Sequence, residues 1–300
     1  MTKALAFIAA RRLRRIAAAG LLGFSALHAL ADDAAGLQSR YTELREPLAK
    51  NSYNRALYID SAEAGDNLKG DVYAVLDHPF NKVSDALKDP ADWCSIMILP
   101  FNTKYCHAVS STGGPALLVR IGRKFDQPVE DAYKLQFSLR HAAATPDFFE
   151  SRLNAASGPL GTRDYHIVVS AVPLDNGKTF MHLSYSYGYG TAGRIAMRGY
   201  LATVGADKVG FSSRGTDANG KPQLIGGVRG AIERNAMRYY LAIDSYLDSL
   251  SAPQAQQVER RIQNWFNASE RYPRQLREMD RPTYVAMKRS EVERQQTMIQ

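Results

Sequence analysis

Between Gly226 and Leu250 the apolar side chains return at steps of three and four: Val228, Ile232, Ala236, Tyr239, Ile243, Tyr246 or Leu247, and Leu250. That spacing predicts one long amphipathic helix of about seven turns. Arg229, Glu233, Arg234, Arg238, Asp244 and Asp248 fall on its wetter arc. Gly226-Gly227 precedes the helix, and Ser251-Ala252-Pro253 stops it, because proline cannot continue a helical ladder. A helix this long and one-sided needs a broad apolar surface to lie on. The residues before it supply one, since they alternate with the period of strands.

The cleanest alternation runs from Ala132 to Arg140. Tyr133, Leu135, Phe137 and Leu139 face one way; Lys134, Gln136, Ser138 and Arg140 face the other. A strand buried on one side and wet on the other belongs to an antiparallel sheet. Further strands are predicted at Arg55 to Ser61, Leu68 to Asp77, Thr103 to Val109, Ala116 to Phe125, Phe148 to Ala155, Tyr165 to Pro173 and Lys178 to Tyr189. Leu174-Asp175-Asn176-Gly177 joins the last two, and Asn-Gly is a strong hairpin signal. Helices are predicted from Asp33 to Lys50, then as a pair on either side of Asp89-Pro90, the second carrying Trp93, Ile96 and Met97. Another follows from Gly193 to Val204, with Ile195, Tyr200, Leu201 and Val204 as its apolar positions. A short strand at Val209 to Ser213 and a polar loop from Arg214 to Pro222 lead into the long helix. Residues 254–300 read as one or two helices rich in both charges, broken near Pro273 and Pro282. Their bulky apolar anchors are Trp265, Phe266, Leu276 and Met279, which suggests a solvated extension on the outside of the domain.

The first residues change how the charge is read. Lys3, Arg11, Arg12, Arg14 and Arg15 form a basic stretch before an apolar run from Ile16 to Leu30, and Ala29-Leu30-Ala31 offers small side chains at a cleavage site. This is the pattern of a cleavable signal peptide, with cleavage expected after Ala31, and it points to a periplasmic or secreted protein. The run is short for the roughly 20 residues that span a bilayer. The formal net charge of +8 contains five cations and no acids from residues 1–31, so the remainder carries about +3. A mildly basic chain gives no case for nucleic-acid binding. The two cysteines, Cys94 and Cys106, most simply form one disulfide in an exported protein, clipping a helix end to the next strand. Closing so short a loop stabilises by about 3 kcal/mol at most. A metal site drawing on His107 or His78 is the competing reading, without a second pair of ligands at the required spacing.

The order of elements is a strand, two short helices, a run of antiparallel strands and one long helix: an α+β chain in which a curved sheet wraps a helix. With the stretch from Asp71 to Trp93, where a strand feeds a helix, an Asp-Pro break and a tryptophan-bearing second helix, the chain resembles the START-like superfamily, also called SRPBCC, helix-grip or Bet v 1-like. The resemblance covers about residues 68–250. Residues 32–67 then form an N-terminal helix and strand, and 251–300 a helical extension. The stretch from Thr191 to Ile225 departs from the pattern, because such proteins usually pass directly from the last long strand to the helix. The resemblance implies a hydrophobic ligand held between sheet and helix, without naming it.

Aromatic side chains cluster where that ligand would lie. Met181, Leu183, Tyr185, Tyr187 and Tyr189 share one strand face, Tyr133 and Phe137 come from another strand, and Tyr239, Ile243 and Tyr246 from the helix. Tyr133, Phe137, Leu183, Tyr185, Tyr187, Asn235, Tyr239 and Ile243 are the candidate ligand-binding residues. Rings supply apolar area and hydroxyls can orient a polar group; the plainer alternative is a core filled solid by the same rings. Asn235 sits near the apolar arc and needs a partner. Arg234 and Arg238 can grip an acidic headgroup at the rim or pair with sheet carboxylates. Gly188-Tyr189-Gly190-Thr191-Ala192-Gly193 matches a dinucleotide-binding fingerprint, but hairpin-linked strands are the wrong context, and sharp turning from sheet to helix accounts for the glycines. No cofactor is expected. His166 and His182 lie on neighbouring strands and could face each other.

The sequence therefore favours an exported protein that binds a lipid or other hydrophobic or amphipathic molecule, with transient membrane contact as an open question. An enzyme of cyclase or hydrolase type, with His182, Glu233 or Asn235 as its polar group, is the alternative. A structural or partner-binding role through residues 254–300 is a third.

Overall fold

An eight-stranded antiparallel sheet organises the computed structural model, which describes residues 33–203 and 205–297. The strands are β1 (Leu57–Ala64), β2 (Asn67–Leu76), β3 (Thr103–Ser111), β4 (Gly114–Ile121), β5 (Tyr133–Ala144), β6 (Phe149–Ser157), β7 (Thr162–Pro173) and β8 (Thr179–Tyr189). Their spatial order is β1-β2-β8-β7-β6-β5-β4-β3, so β8 returns to lie beside β2. The Asn-Gly hairpin joins β7 to β8 as expected, with Gly177 at φ +72°, a conformation that suits glycine. A bulge between His141 and Ala143 carries β5 beyond Arg140, where alternation alone ends it, and turns Ala143 towards the outer face.

Residues 33–43 and Arg45–Ala49 form helices α1 and α2, in place of one continuous predicted helix. The break at Leu44 follows from Pro47, whose ring clashes with the carbonyl four residues earlier. Leu37, Leu44 and Leu48 press onto Phe148, Val172 and Phe180 on the outer sheet face, forming a second, smaller core. Helices α3 (Phe80–Ala86) and α4 (Pro90–Met97) link β2 to the far edge strand β3, with the Asp89 side chain capping α4. Cys94 on α4 and Cys106 on β3 form a disulfide with Cα atoms 5.1 Å apart, which removes both from any metal site.

After β8 come α5 (Thr191–Ala202) and the long helix α6 (Gly227–Ser249). Of the apolar positions assigned to α5, Val204 lies outside the described residues, as do residues 1–31. Ile195 is 66% exposed, whereas Tyr200 does turn inwards, together with Gly193, Ala196 and Met197. Residues 209–212, predicted as a strand, are irregular, and the predicted loop after them holds a hairpin, β9 (Ser213–Thr216) with β10 (Pro222–Leu224). Helix α6 rides so close to β2 that a Cβ on Gly70 would sit 3.2 Å from the Ile232 carbonyl oxygen.

Glu233 pins the inserted segment to α6. It is fully buried and accepts hydrogen bonds from Ser61 Oγ (2.6 Å), Phe211 N (2.6 Å), Ser212 N (2.9 Å) and Ser212 Oγ (2.5 Å). Buried donors stranded without an acceptor cost about 1–3 kcal/mol each. Glu233→Ala is therefore expected to lower stability by about 3 kcal/mol or more, read as a reduced urea midpoint at constant m-value; an unchanged midpoint contradicts the anchoring role.

The C-terminal helices α7 (Gln254–Glu270), α8 (Pro273–Leu276) and α9 (Arg281–Thr297) are not a solvated extension. Trp265, Leu276 and Tyr284 are 0% exposed and belong to the main core. Phe101 meets Trp265 and Tyr284 edge-on at 5.0 and 5.3 Å, and the latter two stack at 5.2 Å. Pro282 lies in the first turn of α9, where proline starts a helix and does not break it. Beneath α9, Glu291 accepts from Lys104 Nζ (3.0 Å) and Lys288 Nζ (2.6 Å), with all three side chains fully buried. Deleting the tail would open this core, so truncation cannot separate a partner-binding role from loss of fold.

Candidate functional site

Helix α6 leans on β1, β2 and β8, while α4 and α9 cover β3 and β4. Between them, under α5, lies a cavity of about 350 Å3. Leu135 and Phe137 of β5, Tyr165 of β7, and Tyr185 and Tyr187 of β8 form the sheet wall. Ala231, Asn235 and Tyr239 line it from α6, and Gly193, Ala196, Met197 and Tyr200 from α5. Small residues leave the space: Ala231 and Ala196 stand where bulkier side chains would close it. Further along α6, Ile243, Tyr246 and Leu247 are buried in solid packing.

Of the residues singled out in the sequence, Phe137, Tyr185, Tyr187, Asn235 and Tyr239 line this space. Leu183 and Ile243 do not; both are 0% exposed in the packed core outside the cavity wall. Tyr133 does not either. It is 49% exposed at the first position of β5. Of the α5 lining only Tyr200 was among the predicted apolar positions; Ala196 and Met197, and Leu160 and Lys124 at the mouth, carried no periodic signal and were missed.

The rings form a connected group. Tyr165 stacks on Tyr187 at 5.2 Å, and Tyr185 meets Tyr239 at 5.2 Å. The Tyr165 hydroxyl donates to Thr162 Oγ1 (2.8 Å), whereas those of Tyr185, Tyr187 and Tyr239 have no partner among the described residues. Burial pushes the pKa of these three hydroxyls above the ordinary tyrosine value, so they remain neutral donors.

Charge gathers at one end. Arg238 Nη1 donates to Asn235 Oδ1 (3.2 Å), giving that amide its partner, and Nη2 donates to Glu278 Oε1 (2.6 Å). The carboxylate thus comes from the C-terminal tail and not from the sheet, as one reading of the arginine pair had it. Arg234 donates to the Val209 carbonyl and the Tyr200 hydroxyl, both at 3.2 Å. Burial opposes ionisation of Tyr200, but Lys124 and Arg234 more than offset it and draw its pKa below the ordinary value. Burial likewise opposes the charge on Glu278, yet Arg238 and Lys124 hold its pKa below the usual range.

The histidines lie elsewhere. His166 pairs across β7–β8 with Ser186 and His182 with Ser170, so the two do not face each other. His166 Nδ1 is 2.5 Å from Asn154 Oδ1; His182 Nε2 is 2.8 Å from Asp71 Oδ1, with its ring stacked on Tyr73 at 4.2 Å on the outer face. Neither His182 nor Glu233 reaches the cavity, and of the polar groups named for an enzyme only Asn235 does. In the fingerprint-like glycine stretch, a Cβ on Gly193 would lie 3.1 Å from Tyr189 Cβ, and β8 is antiparallel to both neighbours. These glycines serve close packing of sheet end against helix start.

No family model and no curated protein matches the sequence. Among solved structures, a conserved protein from Geobacillus kaustophilus is similar over 60% of this chain and 95% of its own, with 11% identity and a TM-score of 0.36. Ara h 8.0201 is similar over 65% of this chain and 99% of its own (9% identity, TM-score 0.35). Human StAR-related lipid transfer protein 5 is similar over 58% and 90% (8% identity, TM-score 0.34). The fold is an α+β helix-grip arrangement, an eight-stranded antiparallel sheet packed on one long helix. Around that arrangement lie the edge strand β1, the outer helices α1 and α2, the wall helix α5 and the embedded tail.

Proposed function

We propose that the protein is exported and holds a lipid or other hydrophobic, amphipathic molecule in the cavity between sheet and α6. One observation carries this reading: a space of about 350 Å3 walled by the rings of Phe137, Tyr165, Tyr185, Tyr187 and Tyr239. Capture is by partition. Apolar area leaves water at about 25 cal/mol per Å2, and the few polar groups set orientation. Entry runs past α5, which fully buries only Gly193 and is the least anchored wall. Tyr187→Ala removes one face of the lining and is expected to weaken uptake of a dodecyl amphiphile about tenfold, read by calorimetric titration, a loss of ~1.4 kcal/mol. Unchanged affinity in a folded variant counts against the cavity.

Export rests on the basic stretch and apolar run before Ala31, and the Cys94–Cys106 disulfide suits an oxidising compartment. Intact mass of the protein isolated from its source is expected to begin at Asp32; a chain retaining Met1 to Ala31 contradicts it.

Loading from a membrane fits the exposed apolar side chains next to the lining: Leu160 (52% exposed) within it, and Ile195 (66%) and Phe125 (55%), chain neighbours of the lining residues Ala196 and Lys124. Ile195→Glu is expected to reduce flotation with vesicles of anionic phospholipid at least threefold. Equal flotation would remove α5 from the contact.

A further inference from the structure

Five ionisable groups from four segments converge at the tail side of the cavity. Lys124 follows β4, Lys208 follows α5, Arg234 and Arg238 belong to α6, and Glu278 lies in the turn between α8 and α9. Glu278 Oε1 accepts from Lys124 Nζ (2.7 Å) and Arg238 Nη2 (2.6 Å), and its side chain is 7% exposed. Lys208 Nζ donates to the adjacent Arg277 carbonyl and bears on the same carboxylate. Arg234 is 1% exposed and has no carboxylate within 4.0 Å among the described residues. Four cations thus share one anion.

Arg234 and Arg238 are buried, at 1% and 6% exposed, and holding two like charges away from water with one carboxylate between them is costly. Arg238 makes the deficit specific. It is 6% exposed, it lines the cavity, and its Nε–H has no hydrogen-bond partner among the described residues. Buried donors without acceptors are rare, and a guanidinium is best satisfied by a carboxylate or phosphate that takes two N–H groups at once. Glu278 takes one. The apolar wall, with Phe137, Met197 and Tyr185, adjoins these cations directly.

We infer that the cavity accepts an amphiphile with a single acidic headgroup, a carboxylate or a phosphate monoester, whose head rests on Arg234, Arg238 and Lys124 and displaces Glu278, the internal counter-ion of the latter two. This deepens the binding reading above and rests on it. Glu278 is placed to leave. It sits in a short turn, while Leu276 and Tyr284 on either side stay fixed in the core. A neutral amphiphile cannot replace the carboxylate it would expel. Inorganic phosphate brings the charge without apolar area to hold it there.

The test titrates the full-length chain, cleared of bound lipid on a hydrophobic resin, with dodecanoate, dodecanol and inorganic phosphate. Wild type is expected to bind dodecanoate at least tenfold more tightly than dodecanol. Glu278→Gln, which keeps the shape and removes the competing charge, should tighten dodecanoate about tenfold and leave dodecanol within threefold. Lys124→Met, at a side chain 30% exposed and outside the core, should weaken dodecanoate about tenfold and spare dodecanol. Phosphate at equal concentration should not compete. Equal binding of both dodecyl compounds, unaltered by either variant, overturns the headgroup inference and leaves the cavity standing. Uptake of neither compound overturns both. Full competition by phosphate overturns the amphiphile and makes the site one for a free anion.

Discussion

Glu291→Leu is expected to cost about 3–5 kcal/mol of stability, the cost of breaking a buried ion pair from one side. Glu291 is the carboxylate shared by Lys104 on β3 and Lys288 on α9, and all three side chains are 0% exposed. Lys288 also donates to the Pro100 (2.7 Å) and Thr103 (3.0 Å) carbonyls, and Lys104 to the Phe101 carbonyl (2.9 Å). Removing the anion leaves two cations in the core. Burial already holds the Lys288 ammonium to a pKa of about 8, with Glu291 the main opposing influence. Glu291→Gln should lose less than the leucine variant, since its amide oxygen can still accept one bond. Urea unfolding of the three proteins checks this; a leucine variant as stable as wild type would mean that the triad does not hold the tail.

Ala196→Phe is expected to abolish uptake of dodecyl amphiphiles while leaving the unfolding midpoint within about 1 kcal/mol of wild type. Ala196 lines the cavity from α5, the wall with the fewest buried residues, and is itself only half-buried. A ring there can fill empty space without forcing the packed part of α6 to move, and overpacking costs arise only where a core is already full. Ile243, further along α6, offers the control: enlarging that fully buried position should destabilise the fold. Calorimetric titration beside urea unfolding separates the two effects. Normal uptake by Ala196→Phe would place the ligand elsewhere.

The elements whose neighbours lie close in the chain were legible. The alternation of Leu135, Phe137 and Leu139, the Asn-Gly turn and the three-four spacing of α6 each state a local preference that the fold obeys. The rings of Tyr185, Tyr187 and Tyr239 were legible as one surface because strand and helix periods fix their faces. Tyr133 shares that period, but period does not tell which position of a strand stays exposed. The tail hid its burial. Lys104, Lys288 and Glu291 read as surface charges until they neutralise one another, and the apolar spacing of Val258, Ile262, Trp265 and Phe266 does not say which surface that face packs on. Glu278 was equally hidden, since nothing near it in sequence points to Arg238 or Lys124.

Native mass spectrometry tests the hollow between sheet and α6 most directly. Isolated from its own source, the chain should carry one small molecule per polypeptide, lose it on clearing with hydrophobic resin and take up one dodecanoate in its place. A chain that shows the same bare mass in all three states would contradict the account.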